Sequence, residues 1–160
     1  MSLRIELPSP ADTDALGAAL ARAMPEASVV AYLQGDLGAG KSTLARALLR
    51  ELGVTGAIRS PTYTLVERYP LATGEAAHLD LYRIAGAGEL DFLGLDELRD
   101  ARLWLVEWPE RGAGALPAPD LRIRLGIDGG GRLAELQDSS GKGRDWLAAF
   151  SKIAPSRGSV

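Results

Sequence analysis

The phosphate-binding motif at residues 35–42 constrains the fold more than any other feature of the chain. Its sequence, GDLGAGKS, matches G-x-x-x-x-G-K-[ST] at every fixed position. A short β-rich run, residues 28–34, precedes it, and residues 41–52 follow with helical periodicity until Gly53. This order of strand, glycine-rich loop and helix is the context that the motif requires. The sequence therefore predicts a P-loop nucleotide-binding protein of the α/β class.

The chemistry of this loop predicts a purine nucleoside triphosphate with Mg²⁺ as the ligand. Glycines let backbone N–H groups turn toward phosphate, and the helix N-terminus adds the positive end of its dipole. Lys41 is expected to neutralise the β and γ phosphates, and the Ser42 hydroxyl is expected to be a magnesium ligand. The residues expected to contact the nucleotide are Gly38, Ala39, Gly40, Lys41, Ser42 and Thr43, with Thr43 near the α-phosphate.

A P-loop also needs a carboxylate from a neighbouring strand to hold or orient the metal. Glu107 is the first candidate, because it ends the apolar run at residues 103–106, and α/β folds bind ligands at the carboxyl ends of strands. Asp80, in the segment HLDLYR, is the second candidate. Alternation puts it opposite Leu79 and Leu81, on the face expected to lie away from the core. His78 shares that face, and we assign it no role because a lone histidine is more often solvated or hydrogen-bonded than catalytic.

Composition narrows the function further. The 160 residues fit one domain, and the net charge of −3 argues against electrostatic binding of nucleic acid. Zinc and thiol chemistry are excluded by the absence of cysteine and the presence of one histidine. The chain has no signal-like start and no run of eighteen apolar residues, so we expect a cytoplasmic protein that does not bind membranes and is a monomer when alone.

The remaining patterns predict the architecture. They indicate a first helix after Ser9, a β-hairpin over residues 62–69 and 77–82, a helical segment at 89–100 and a buried strand at 102–108. A second hairpin, residues 121–127 and 132–137, and a helix at 144–152 follow. Together they predict a three-layer sandwich with a mixed, mainly parallel sheet, a central P-loop strand beside the Glu107 strand, and antiparallel hairpins at the edges. We expect a single domain over residues 1–153 and a flexible tail at 154–160.

Several short blocks match one family in the same order. They are GDLGAGKST at Gly35, SPTYTLVE at Ser60, HLDLYR at His78, ELDFLG at Glu89 and LVEWPERG at Leu105. The set resembles TsaE, also called YjeE, the bacterial P-loop ATPase family of tRNA threonylcarbamoyladenosine (t6A) biosynthesis. The P-loop is generic, whereas SPTYTLVE and DLYR are specific to the family.

The resemblance implies an ATPase that works with TsaB and TsaD, and that meets tRNA only through that complex, without transferring the threonylcarbamoyl group itself. It implies that Ser42 and Glu107 hold Mg²⁺ and that Asp80 lies near the γ-phosphate. Family members also cover the adenine with the N-terminal segment and the late hairpin, which points to Thr13 and Arg132. The resemblance further indicates a nucleotide-sensing switch, formed by Ser60, Pro61, Thr62 and Tyr63.

Three other functions were weighed against this one. A regulatory GTPase is disfavoured, because it reads guanine with an Asn-Lys-x-Asp element and this chain has no asparagine. A small-molecule kinase remains the main alternative, although its arginine-rich lid is not visible in the dispersed arginines. A binding module that uses ATP only as structural support is the third.

Overall fold

In residues 1–58 and 65–153, which the computed structural model describes, seven strands form one sheet. In chain order they are β1 (Ser2–Leu7), β2 (Val29–Gln34), β3 (Val66–Leu71), β4 (Gly74–Asp80), β5 (Leu103–Glu107), β6 (Leu121–Asp128) and β7 (Gly131–Asp138). Their spatial order is β1-β7-β6-β2-β5-β4-β3. The four strands from β6 to β4 pair in parallel, and the outer pairs are antiparallel. The predicted mixed sheet, with a central P-loop strand and edge hairpins, is confirmed.

Helices cover one face of this sheet and short 3-10 helices cover the other. The α-helices are α1 (Pro10–Ala23), α2 (Lys41–Glu51) and α3 (Gly141–Ile153), and their buried side chains share one core with the sheet. The 3-10 helices are Ala87–Phe92, Leu95–Leu98 and Pro109–Gly112. The first two place Leu90 and Leu98 in a second core on the opposite face. The result is the predicted three-layer arrangement, with one thin layer.

Strand β5 is buried along its whole length because it lies between the two cores. Its side chains alternate: Leu103 and Leu105 join the core under the α-helices, whereas Trp104 and Val106 join the second core. The same alternation on β4 makes the prediction for Asp80 wrong in one respect. Its face is not directed away from the core, since His78 on that face is fully buried. A strand inside a three-layer fold has no solvent face.

Two other expectations need correction. The helix predicted at residues 89–100 is two separate 3-10 helices, because Gly94 between them adopts a left-handed conformation with φ 67°. The last helix begins three residues before the predicted residue 144. Within the described parts of the chain, no helix combines the length and apolarity needed to cross a bilayer. The predicted tail, residues 154–160, lies outside the described residues.

The first turn of α3 offers a test of this packing. A Cβ atom at Gly143 would lie 1.7 Å from the backbone carbonyl oxygen of Asp120, whereas one at Gly141 would meet nothing within 4 Å. We expect Gly143→Ala to lower the free energy of unfolding by about 1–3 kcal/mol or more, because the backbones must separate. Gly141→Ala in the same turn should leave it unchanged or raise it by up to about 1 kcal/mol. Urea unfolding of both variants measures this, and equal effects would contradict the close approach.

Candidate functional site

The P-loop joins β2 to α2 through three glycines in a backbone conformation that other residues adopt only with strain. Gly35 has φ 144°, Gly38 has φ 79° and Gly40, the N-cap of α2, has φ 106°. A Cβ atom at Gly35 would also lie 2.2 Å from the backbone carbonyl oxygen of Leu125 on β6. Ala39 is fully buried, and its backbone N–H donates to the Asp36 carbonyl at 3.1 Å. The loop is therefore anchored against the sheet on the side that faces β6.

A pocket of about 430 Å³ opens beside this loop. Its walls combine the P-loop, the ends of β4 and β5 and the residues that follow them. The lining residues are Leu37, Gly38, Gly40, Lys41, Ser42, Thr43, Leu65, Asp80, Tyr82, Arg83, Glu107 and Trp108. The structure thus brings together Lys41, Asp80 and Glu107, the lysine and the two carboxylates that the sequence analysis expected at the phosphates and the metal. It also brings Gly38, Gly40, Ser42 and Thr43 to the same pocket.

Lys41 is buried at the base of the loop, and its ammonium group has carbonyl partners. Its Nζ atom donates to the carbonyl oxygens of Gly35 at 2.5 Å and Asp36 at 2.9 Å. It also lies 4.5 Å from the ring centroid of Trp108. Burial lowers the pKa of Lys41, and the nearby carboxylates of Glu107 and Asp80 oppose that shift. Lys41 therefore lies in a pocket with two carboxylates that favour its charged form.

Glu107 reaches the P-loop because β5 pairs in parallel with β2, placing Glu107 beside Leu33. Its Oε1 atom accepts a hydrogen bond of 3.1 Å from the Ser42 hydroxyl. Neighbouring oxygens in an octahedral shell with bonds of 2.0–2.1 Å lie about 3 Å apart, so these two oxygens fit adjacent positions around Mg²⁺. The described residues hold no group of three or more His, Cys, Asp or Glu side chains that could bind a metal. A magnesium ion here would need ligands from phosphate and water as well.

Asp80 ends β4 directly beside Glu107 in the parallel register. Its Oδ1 atom accepts a hydrogen bond of 3.1 Å from the backbone N–H of Tyr82. Burial raises the pKa of Asp80, and the charge of Glu107 adds to the shift, while the Tyr82 hydrogen bond opposes it. A half-buried carboxyl with a raised pKa is a more effective proton acceptor than an ordinary aspartate.

The two residues predicted near the adenine lie against the P-loop. Thr13 of α1 is buried, and its Cγ2 atom lies 3.8 Å from the position of a Cβ atom at Gly40. Arg132 at the start of β7 donates to the Gly38 carbonyl from Nε at 3.2 Å and from Nη2 at 2.9 Å. Their contact with a nucleotide stays a prediction. The predicted switch, Ser60, Pro61, Thr62 and Tyr63, lies outside the described residues.

The sequence analysis assigned no role to the aromatic and imidazole side chains around the site. Trp108 adopts a left-handed conformation with φ 58°, and its ring contacts that of Tyr82 with centroids 5.0 Å apart. His78 is fully buried, with Nε2 2.6 Å from Oε2 of Glu107. Only their positions in the sequence could have indicated these residues. His78 is two residues before Asp80 on the same face of β4, and Trp108 follows Glu107.

Comparison with known proteins assigns the family. The family model described as "Threonylcarbamoyl adenosine biosynthesis protein TsaE" matches residues 7–133 of this chain. The chain belongs to the TsaE family. The family implies nucleotide binding, in agreement with the P-loop. It also favours the predicted role in tRNA t6A biosynthesis over a small-molecule kinase.

Individual TsaE relatives resemble the chain over most of its length. The tRNA threonylcarbamoyladenosine biosynthesis protein TsaE of Haemophilus influenzae is 42% identical over 127 residues, which cover 79% of this chain and 80% of that protein. The Bacillus subtilis protein of the same name is 36% identical over 116 residues, 72% of each chain. The crystal structure of Bacillus subtilis YdiB superimposes with a TM-score of 0.80 at 26% identity, covering 95% of both chains. The TsaE resemblance first indicated by short motifs therefore extends to the whole fold.

Asp80 offers a test of the electrostatics in this TsaE pocket. Because the folded state raises its pKa, the proton on Asp80 stabilises the fold at low pH, and that contribution is lost as the pH rises through the folded pKa. Asp80→Asn keeps an oxygen for the Tyr82 N–H but removes the charge. We expect its thermal unfolding midpoint, without nucleotide, to exceed that of the wild type at neutral pH.

The difference in midpoint between the two proteins should narrow toward acid pH, where wild-type Asp80 is also neutral. Asp80→Ala, which loses the hydrogen bond as well, is the control and should gain less than Asp80→Asn. If the wild type were more stable than Asp80→Asn at neutral pH, the conclusion that burial disfavours the charged form of Asp80 would be contradicted.

Proposed function

We propose that this protein is an ATPase of tRNA t6A biosynthesis that hydrolyses magnesium-bound ATP in the pocket between the P-loop and the ends of β4 and β5. The observation that carries the proposal is the convergence of Lys41 and Ser42 from the P-loop with Glu107 from the adjacent strand. Family membership supports the pathway, since the relatives are named for tRNA threonylcarbamoyladenosine biosynthesis. As partners we propose TsaB and TsaD, with tRNA contacted only through their complex.

Different residues around the pocket bind the phosphates and the metal ion. The backbone N–H groups of the P-loop and the N-terminus of α2 bind the phosphates, and Lys41 exchanges its two carbonyl partners for phosphate oxygens. Ser42 and Glu107 would hold Mg²⁺, which would supply charge neutralisation on the phosphate oxygens. Thr13 and Arg132 support the loop from the side where the adenine is expected.

Asp80 is placed to act on the attacking water. In the reaction, a bond forms between the water oxygen and the γ-phosphorus, and the bond from that phosphorus to the bridging oxygen of ADP breaks. Asp80 orients the water and accepts its proton, for which its raised pKa suits it. The products are ADP and inorganic phosphate. Turnover by the protein alone is expected to be slow and to respond to TsaB and TsaD.

Two variants should distinguish the binding of ATP from its hydrolysis. We expect Asp80→Asn to lower kcat by roughly a hundredfold or more, because a general base contributes about 10²–10⁴, while the Kd for ATP changes little. Lys41→Ala should weaken both, because Lys41 contacts the phosphates in the ground state and in the transition state. Calorimetric titration with ATP and a phosphate-release assay with TsaB and TsaD present measure the two quantities. Equal losses in both for Asp80→Asn would assign Asp80 to binding instead.

The pathway has its own test in cells. Depletion of this protein should lower t6A in tRNA, measured by mass spectrometry of tRNA nucleosides, and the wild-type gene should restore it. Glu107→Ala, which lacks the proposed metal ligand, should fail to restore it. Unchanged t6A after depletion would reject the pathway, and full rescue by Glu107→Ala would favour a module that uses ATP only as structural support. Phosphate transfer from ATP to an added metabolite would favour the kinase.

A further inference from the structure

A histidine lies directly behind the carboxylate that faces the P-loop. His78 on β4 and Glu107 on β5 have side chains exposed by 1% and 3%, with Nε2 of His78 2.6 Å from Oε2 of Glu107. The Ser42 hydroxyl lies 3.1 Å from the other carboxylate oxygen, Oε1, and 3.4 Å from Oε2. A continuous row of contacts therefore runs from the P-loop through the carboxylate into the core.

The strand register produces this row. β4 and β5 are parallel, with His78 opposite Leu105 and Asp80 opposite Glu107. His78 is therefore the diagonal neighbour of Glu107 on the same face, one step further from the pocket. His78 does not line the pocket, whereas Glu107 does. The imidazole is within reach of the carboxylate but not of a bound nucleotide.

Hydrogen-bond chemistry fixes the role of each nitrogen. An ionised carboxylate can only accept, so Nε2 of His78 carries the hydrogen and donates it to Glu107. Among the described residues, Nδ1 of His78 has no hydrogen-bond partner, although it is buried.

We propose that His78 is a positioning residue that holds the Glu107 carboxylate in the orientation that binds magnesium. His78 contacts Oε2, and Oε1 is the oxygen that lies nearer to the Ser42 hydroxyl. It is not itself a metal ligand, because Nε2 is occupied by the carboxylate and Mg²⁺ prefers oxygen. Hydrogen bonds that orient a metal-binding side chain are worth about 10–100-fold in metal affinity in other sites. The inference rests on the proposed function, in which Ser42 and Glu107 share the ion.

The contact itself can be tested without nucleotide or metal. The chain contains one histidine, so labelling with ¹⁵N-histidine gives a single imidazole in the NMR spectrum. We expect its two nitrogen shifts to report the tautomer protonated at Nε2, and Glu107→Ala to change them. The inference would be overturned if the imidazole were protonated at Nδ1, or if its nitrogen shifts were unchanged in Glu107→Ala.

The functional test compares two replacements of the same residue. His78→Phe keeps a ring of similar shape without a donor, whereas the amide nitrogen of His78→Gln can occupy the place of Nε2. The Kd for ATP is measured by calorimetry with MgCl₂ and with EDTA in both variants and the wild type. We expect His78→Phe to reduce the gain in ATP affinity from Mg²⁺ by about tenfold while binding in EDTA stays within about twofold of the wild type. His78→Gln should restore most of the gain.

Glu107→Gln separates the two proposals. If Mg²⁺ raises ATP affinity in the wild type but not in Glu107→Gln, and His78→Phe behaves like the wild type, the inference fails and the proposed function stands. If the wild type and Glu107→Gln respond alike to Mg²⁺, the proposed metal role of Glu107 fails and the inference falls with it. Both His78 variants could instead lose ATP affinity equally with MgCl₂ and with EDTA and have a lower unfolding midpoint. That result would show that His78 only stabilises the core, and it would overturn the inference.

Discussion

The parallel pairing of β2 with β5 is the constraint on which the rest of the site depends. It sets Glu107 beside Leu33, two residues before the P-loop begins, and so brings a carboxylate to a loop that lies about seventy residues earlier in the chain. The pairing of β4 with β5 in the same register adds Asp80 beside Glu107. Two carboxylates and a lysine meet because three strands end at one edge, which is where parallel sheets place their ligands.

Burial on both faces of the sheet gives these charges their properties. Glu107 continues the apolar row of Leu103 and Leu105 and is as buried as they are. A charge in such a place requires hydrogen bonds, and Ser42 and His78 supply them. The same burial raises the pKa of Asp80 and lowers that of Lys41. The fold thus accepts a local cost in stability at the residues for which we propose chemistry, as enzymes commonly do.

The sequence predicted the parts of the structure that local patterns control. The motif at Gly35 fixed the strand, loop and helix, and turn residues located both hairpins. β1 was missed, because it is a short edge strand whose partner, β7, lies more than a hundred residues away. The segment at residues 89–100 was predicted to be helical, yet Gly94 divides it. The contact of His78 with Glu107 was beyond local patterns, since it depends on the register of two strands separated in the chain.

The two carbonyl contacts of Lys41 affect how the pocket would release a nucleotide. Its ammonium group donates to two carbonyl oxygens of its own loop, and the ring of Trp108 lies over it. The protein therefore carries an internal competitor for the ligand that we propose. Under the proposed function, a departing ADP would leave no bare cation behind, because the same two carbonyl oxygens can accept hydrogen bonds from the lysine again.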